Sequence, residues 1–311
     1  MFCSLNELIS FLHVNQSKER GTVKDKVDFK VDEDVTALRK AIEGLGTTEK
    51  TLIDVLTQRS NAQRQLVASA YEKATGRKLV ADLEGDTHGD FENLLVALVT
   101  PPALFDCNEV IRAIKVGLVE LLLSRKLHGW NLTLSTIALL ACLTVLMIHD
   151  LKSEVSGDYA KALLILAEIL YEAGEKKWGT DEDKFIDILC HRSVPQLRQT
   201  LVEYKNISKK TLQESIESEM SGEVEKLLVA IVKCVKNVPA YFAERLFKSM
   251  RGAGTDESTL TRIIVGRSEI DLLDIKAEYK KLFGVSLHSE LKSEVSGNYG
   301  EALMLLCGTE D

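Results

Sequence analysis

The chain has 311 residues, 45% of them apolar and 28% charged, and carries a net charge of −8. It is long enough to bury a large core, and its length allows about two domains. The acidic balance, with no basic run interleaved with aromatics, excludes nucleic acid as a partner. It also sets a condition, because an anionic membrane repels such a chain unless cations bridge the two surfaces.

Four prolines, 19 glycines and abundant Leu, Glu, Lys and Ala favour an all-helical fold. The N-terminal stretch MFCSLNELISFLHVNQSKER has neither a basic opening nor an unbroken apolar run, so it is not read as a signal peptide. Phe2, Leu5, Ile9 and Leu12 are spaced to form one face of a short helix; a locally packed or disordered terminus is the competing reading. The six cysteines are scattered without a CxxC pair, which points to reduced thiols in the cytosol. The histidines lack ligand spacing, and His88 and His191 read as surface or helix-end residues.

Further along, NLTLSTIALLACLTVLMI at 131–148 carries no charge and sits at the lower length limit for a membrane span. Its Asn and Thr residues lower the hydropathy, and a buried helix accommodates the pattern equally well.

The chain repeats itself. LKSEVSGDY at 151–159 returns as LKSEVSGNY at 291–299, and LLVALV at 94–99 as LLVAIV at 227–232. TLIDVLTQRSN, KFIDILCHRSV and TLTRIIVGRSE share one template of helically spaced apolar residues followed by Arg-Ser. Each follows a glycine loop: GLGTTE at 44–49, KKWGTDE at 176–182 and GAGTDE at 252–257. An acidic residue in an (E/D)-x-x-G motif then stands 40 residues beyond the glycine that precedes the loop's threonine. Gly46 leads to Asp86, Gly179 to Glu219 and Gly254 to Glu294. A fourth acid, Glu154, has no such loop 40 residues before it.

Capping glycines and a Thr-Asp-Glu helix start explain one such loop without a ligand. Three copies at identical spacing point to a shared site. Calcium takes six to eight oxygens and accepts backbone carbonyls well. A Gly-x-Gly loop turns successive carbonyls outward, and one distant carboxylate adds two more oxygens. Such a site is weak alone and tightens when a lipid phosphate fills the open positions.

Trp178 falls at a predicted loop tip, where it suits either interfacial insertion into lipid or packing on a neighbouring helix. Lys177 and Arg251 flank the loops and read either as headgroup contacts or as solvated charges. There is no GxxxxGK, GxSxG or HExxH, and no catalytic constellation, so the chain is not read as an enzyme.

The array of G-x-G-T, then Arg-Ser, then an acid 40 residues on resembles the annexins, as do RGTV at 20–23, SNAQRQL at 60–66 and GRSEIDLLDI at 266–275. The resemblance covers about residues 20–115 and 150–311. It implies an all-α fold of four annexin-type repeats forming a curved disc. It also implies Ca2+-dependent binding to anionic, phosphatidylserine-type membranes as a peripheral cytoplasmic protein, with roles in membrane organisation and vesicle traffic. Some relatives also dock a small dimeric EF-hand protein through the N-terminus, and a nuclear pool is a further expectation.

Carried over by position, the first site uses the carbonyls of Ile42, Gly44 and Gly46 with Asp86. The third uses Gly174, Lys177 and Gly179 with Glu219. The fourth uses Met250, Gly252 and Gly254 with Glu294. The second repeat keeps Glu154 alone and is expected to lack an ordinary site.

The expected organisation is an N-terminal segment (1–27) and repeats at 28–102, 103–168 (degenerate), 169–238 (shortened) and 239–311. Residues 116–149 depart from the family pattern and read as foreign to the fold, from an alternative exon or an error in the gene structure. Two rival functions remain: an integral protein anchored by 131–148, and a calcium-insensitive protein-binding scaffold.

Overall fold

The computed structural model describes residues 20–44, 48–106, 108–109, 169, 182–252 and 254–309. Every regular element among them is a helix. In chain order they are α1 (Val31–Glu43), α2 (Glu49–Thr57), α3 (Asn61–Thr75), α4 (Leu79–Asp86), α5 (Gly89–Val99), α6 (Glu182–His191), α7 (Val194–Ser208), α8 (Leu212–Glu219), α9 (Gly222–Lys236), α10 (Val238–Ser249), α11 (Glu257–Arg267), α12 (Leu272–Phe283), α13 (Leu287–Glu294) and α14 (Gly297–Cys307). They fall into two compact units, residues 15–120 with 242–311 and residues 1–14 with 121–241.

In the first unit the helices of the first and fourth repeats form one core. Leu38, Leu52, Leu56, Leu83, Leu94 and Leu98 are buried from the first repeat. Leu260, Ile264, Ile275, Leu291 and Leu303 are buried from the fourth. The two sets meet where α5 packs on α11 and α14, and α2 on α14. Each such side chain contributes about 1.5–3 kcal/mol by leaving water.

An N-terminal strap ties the halves of this unit together. The Val23 amide donates to the Ser268 carbonyl (3.0 Å) and the Thr22 hydroxyl to the Leu306 carbonyl (2.6 Å). Arg20 pairs with Asp274, its Nε donating at 2.9 Å.

Among its described residues the second unit holds α6 to α9. Phe185, Ile188 and Leu189 recur on one face of α6, Leu197 and Tyr204 on α7, and Leu228, Ile231, Val232 and Val235 on α9. Leu212 and Ile216 of α8 complete the cluster. This is the apolar stripe of helices that bury one face.

Local chemistry sets the helix ends. α3 and α7 each start on a capping box, Ser60 with Gln63 and Ser193 with Gln196, so two otherwise unpaired donors are satisfied at each start. The corresponding residues of the fourth repeat are Ser268 and Asp271, and there the box is absent. Asp271 accepts from Arg267 instead (Nε to Oδ1, 2.7 Å). Accordingly α12 starts later and runs 12 residues, where α3 and α7 run 15.

Candidate functional site

The three acids share one backbone setting. α4, α8 and α13 are each eight residues long, and each ends on the acid itself: Asp86, Glu219 and Glu294. In each case the next residue's amide closes the last turn at 3.0 Å, from Thr87 to Leu83, Met220 to Ile216 and Val295 to Leu291. A glycine three residues past the acid has positive φ in all three, at Gly89 (67°), Gly222 (80°) and Gly297 (65°).

All three acids are exposed. A carboxylate on the last turn of a helix faces the negative end of the dipole, which disfavours it by about 0.3–1 kcal/mol. A divalent cation there reverses the sign of that contribution.

The fourth loop is the most fully described. α10 tightens at its end, where Met250 and Arg251 donate to Phe247 and Lys248 (3.2 and 3.3 Å). The loop is closed by the Asp256 amide donating to the Ser249 carbonyl (2.8 Å). Within it Gly252 has φ 132° and Gly254 φ 142°. A side chain meets no steric obstacle at either position, so the glycines serve the backbone conformation alone. Met250 is buried, whereas Gly252 and Gly254 are exposed.

The first loop is closed by the equivalent bond, Thr48 to Ala41 (3.1 Å). Ile42 is buried and Gly44 exposed. Gly44 sits at φ −71°, an ordinary extended conformation, so the two loops differ at their first glycine. Gly46, Gly174, Lys177, Trp178 and Gly179 lie outside the described residues, as do Glu154, 131–148 and the N-terminal face of Phe2, Leu5, Ile9 and Leu12. The third site is therefore represented by Glu219 alone.

The donors that are described are backbone carbonyls and single exposed carboxylates. Among the described residues no group of three or more His, Cys, Asp or Glu stands close enough to hold a metal through side chains. An all-oxygen set dominated by carbonyls matches a hard cation such as calcium.

The annexin family signature matches residues 33–98, 165–231 and 241–306. Bovine annexin A3 is 48% identical over 318 residues, covering 94% of this chain and 98% of that protein. The chain belongs to the annexin family. The solved structure of annexin III is 45% identical with a TM-score of 0.79, covering 94% of this chain and 98% of that one. A calcium-bound annexin (Sm)1 is 28% identical with a TM-score of 0.71, covering 99% and 98%. As an annexin the chain binds Ca2+ and associates with phospholipid membranes as a peripheral, calcium-dependent protein. Among the described residues no helix is long and apolar enough to cross a membrane.

Two features of this annexin were not anticipated from its sequence. Arg251, expected at the lipid or in solvent, is exposed but held: its Nη2 donates to Glu290 at 2.7 Å and its guanidinium lies 4.6 Å from the Phe247 ring centre. The equivalent residue of the first repeat is Glu43. It accepts from Arg39 (2.7 Å) and Arg77 (2.9 Å), and Arg77 also reaches Asp82 (3.1 Å). The hydrogen bond from Arg39, aided by the charge of Arg77, holds the Glu43 carboxyl below the usual carboxylate range. The available signal was an acidic residue four places before the site acid, Asp82 before Asp86 and Glu290 before Glu294.

Proposed function

We propose that calcium is held in the fourth repeat by the carbonyls of Met250, Gly252 and Gly254 with the carboxylate of Glu294. The first repeat uses Ile42, Gly44 and Gly46 with Asp86, and the third uses Gly174, Lys177 and Gly179 with Glu219. One formal charge and a few carbonyls leave coordination positions open, and an anionic lipid phosphate fills them. This answers the charge problem of an acidic protein at an acidic surface: the ion bridges the two. Trp178, Lys177 and Arg251 stand beside the bound headgroups. The observation that carries this reading is the recurrence of the acid on the last residue of an eight-residue helix in three repeats.

The protein acts by binding, without turnover, in the cytoplasm on plasma-membrane or vesicle surfaces and in a nuclear pool. Its N-terminal segment offers a docking face to a small dimeric EF-hand protein. The second repeat, 103–168, is degenerate and contributes no ordinary site, with 116–149 foreign to the repeat pattern.

Cosedimentation with phosphatidylserine vesicles tests the sites. The parent pellets in calcium and is released by chelator, and Glu219→Gln with Glu294→Gln lowers calcium-dependent pelleting strongly. Unchanged binding in that double variant refutes the site assignment. Pelleting that resists chelator and alkaline carbonate supports an anchor at 131–148 instead.

A further inference from the structure

We infer that Arg251 and Glu290 form a strut that positions the fourth calcium loop against Glu294, making Arg251 a positioning residue whose loss weakens calcium binding although it is a cation. The inference rests on the reading that Met250, Gly252, Gly254 and Glu294 hold the ion.

Arg251 lies in sequence between two of the proposed carbonyl donors, Met250 and Gly252. Its side chain leaves the loop and is gripped on two sides, by the Phe247 ring of α10 and the Glu290 carboxylate of α13. Phe247 is itself stacked on Phe283 of α12 (centroids 3.9 Å apart, planes within 5°), so the grip is anchored in packed structure. Glu290 is one helical turn before Glu294 on the same short helix, so the two share a face. The strut therefore ties the loop's first half to the helix that carries the acid.

The first repeat makes the same connection with the loop charge reversed and an arginine set between two acids. Glu43 takes the place of Arg251, Arg39 that of Phe247, and Arg77 bridges Glu43 to Asp82, which takes the place of Glu290. Two chemically different solutions to one connection indicate that the connection matters more than the sign of the charge.

A comparison of hydroxyls supports this. Tyr71 donates to Asp82 at 2.7 Å. Its counterpart Tyr279 is equally buried, yet its hydroxyl has no hydrogen-bond partner. Glu290 is engaged with the loop arginine instead. Asp82 serves both its tyrosine and its arginine, whereas Glu290 serves the loop arginine and leaves the Tyr279 hydroxyl without a bond.

Two accounts of Arg251 predict opposite signs. As a bare charge beside a dication it repels calcium, so removing it tightens binding. As a strut it preorganises the loop, so removing it weakens binding. At physiological salt the repulsion is screened over about 8 Å, whereas ordering a freed loop must be repeated at each binding event.

The experiment uses the full chain carrying Asp86→Asn and Glu219→Gln, so that the fourth site reports alone. Calcium binding is read at 0.15 M salt by equilibrium dialysis with phosphatidylserine vesicles and by the calcium midpoint of pelleting. Arg251→Gln is expected to weaken binding about fivefold, or about 1 kcal/mol. Glu290→Gln weakens it at least as much, and the two together are no worse than Glu290→Gln alone. The swapped pair Arg251→Glu with Glu290→Arg recovers most of the loss, which a misfolded loop would not do. Tighter or unchanged binding in Arg251→Gln, or additive losses without recovery in the swap, overturns the strut. Adding Glu294→Gln to the same background abolishes calcium binding if the site reading holds. Its failure to do so overturns that reading separately.

Discussion

The first and fourth repeats place an arginine at the same point of one template and then secure it in different ways. Arg59, at the end of the second helix of its repeat, makes a two-pronged pair with Asp34 of α1 (2.7 and 2.8 Å). The equivalent residue, Arg267, finds Phe242 where Asp34 would stand, with its guanidinium 4.8 Å from the ring centre. Its carboxylate comes instead from Asp271, four residues on. That choice removes Asp271 from the capping role held by Gln63 in the first repeat, and α12 loses its first turn. The template fixes the position of the buried cation, and each repeat supplies a counter-charge from whichever element is near. The neighbouring Glu269 shows the same economy. Its carboxylate accepts from the Asn61 amide (2.6 Å) and Arg64 (3.0 Å), so the fourth repeat caps a helix of the first.

The sharpest way to break this comparison is to remove the counter-charges. Asp271 and Arg267 are 0% and 3% exposed in their side chains, so Asp271→Ala removes a carboxylate from a buried cation. We expect a loss of about 3–5 kcal/mol in urea unfolding. Asp34→Ala should fall at the lower end of that range, because its pair is 7% and 9% exposed and water reaches the stranded Arg59. If Asp271→Ala costs less than about 1 kcal/mol, the face of Phe242 and the other groups around Arg267 suffice to hold it.

A smaller effect separates the two buried tyrosines. Tyr71→Phe removes a bond to a carboxylate and should cost about 1.5–3 kcal/mol. Tyr279→Phe removes an unpaired hydroxyl and should leave thermal stability unchanged or slightly raised. Burial and the bond to Asp82 push the Tyr71 hydroxyl up to about 12, whereas Tyr279 is raised by burial first and then by the charge of Glu290. Equal losses in the two variants would mean that Glu290 does accept from Tyr279, and the argument for a strut would lose one of its supports.

Much of this was legible in the sequence because the repeat makes position meaningful. The constant interval from Gly46 to Asp86, Gly179 to Glu219 and Gly254 to Glu294 is kept although the helices between differ in length, because a shorter helix is matched by a longer connection, so loop and acid could be paired before any coordinates. The Arg-Ser template likewise marked Arg59 and Arg267. Their partners were not legible, because Asp34 lies 25 residues before its arginine and Asp271 four after. A counter-charge needs only to reach the same space, and sequence distance says little about which residue does so. The partner of Arg251 was not legible for the same reason: Glu290 is 39 residues away. RGTV was legible only as part of the family resemblance; the strap it forms has acceptors at Ser268 and Leu306, in a distant repeat.

The finest difference between the repeats lies in the loops themselves. At Gly252 φ is 132°, a conformation essentially reserved for glycine, whereas Gly44 at φ −71° adopts one open to any residue. Both positions are exposed, so an added methyl group contributes through the backbone alone. Gly252→Ala should therefore cost about 1–3 kcal/mol or force the loop into another conformation, and calcium binding at the fourth site should weaken with it. Gly44→Ala should lie within about 0.5 kcal/mol of the parent, since it also restricts the unfolded chain. Differential scanning calorimetry of the two variants reads the stabilities, and calcium titration on vesicles reads the site. A Gly44→Ala variant as damaging as Gly252→Ala would mean that the first loop must leave its extended conformation to take the ion. The two repeats would then reach one bound geometry from different starting points.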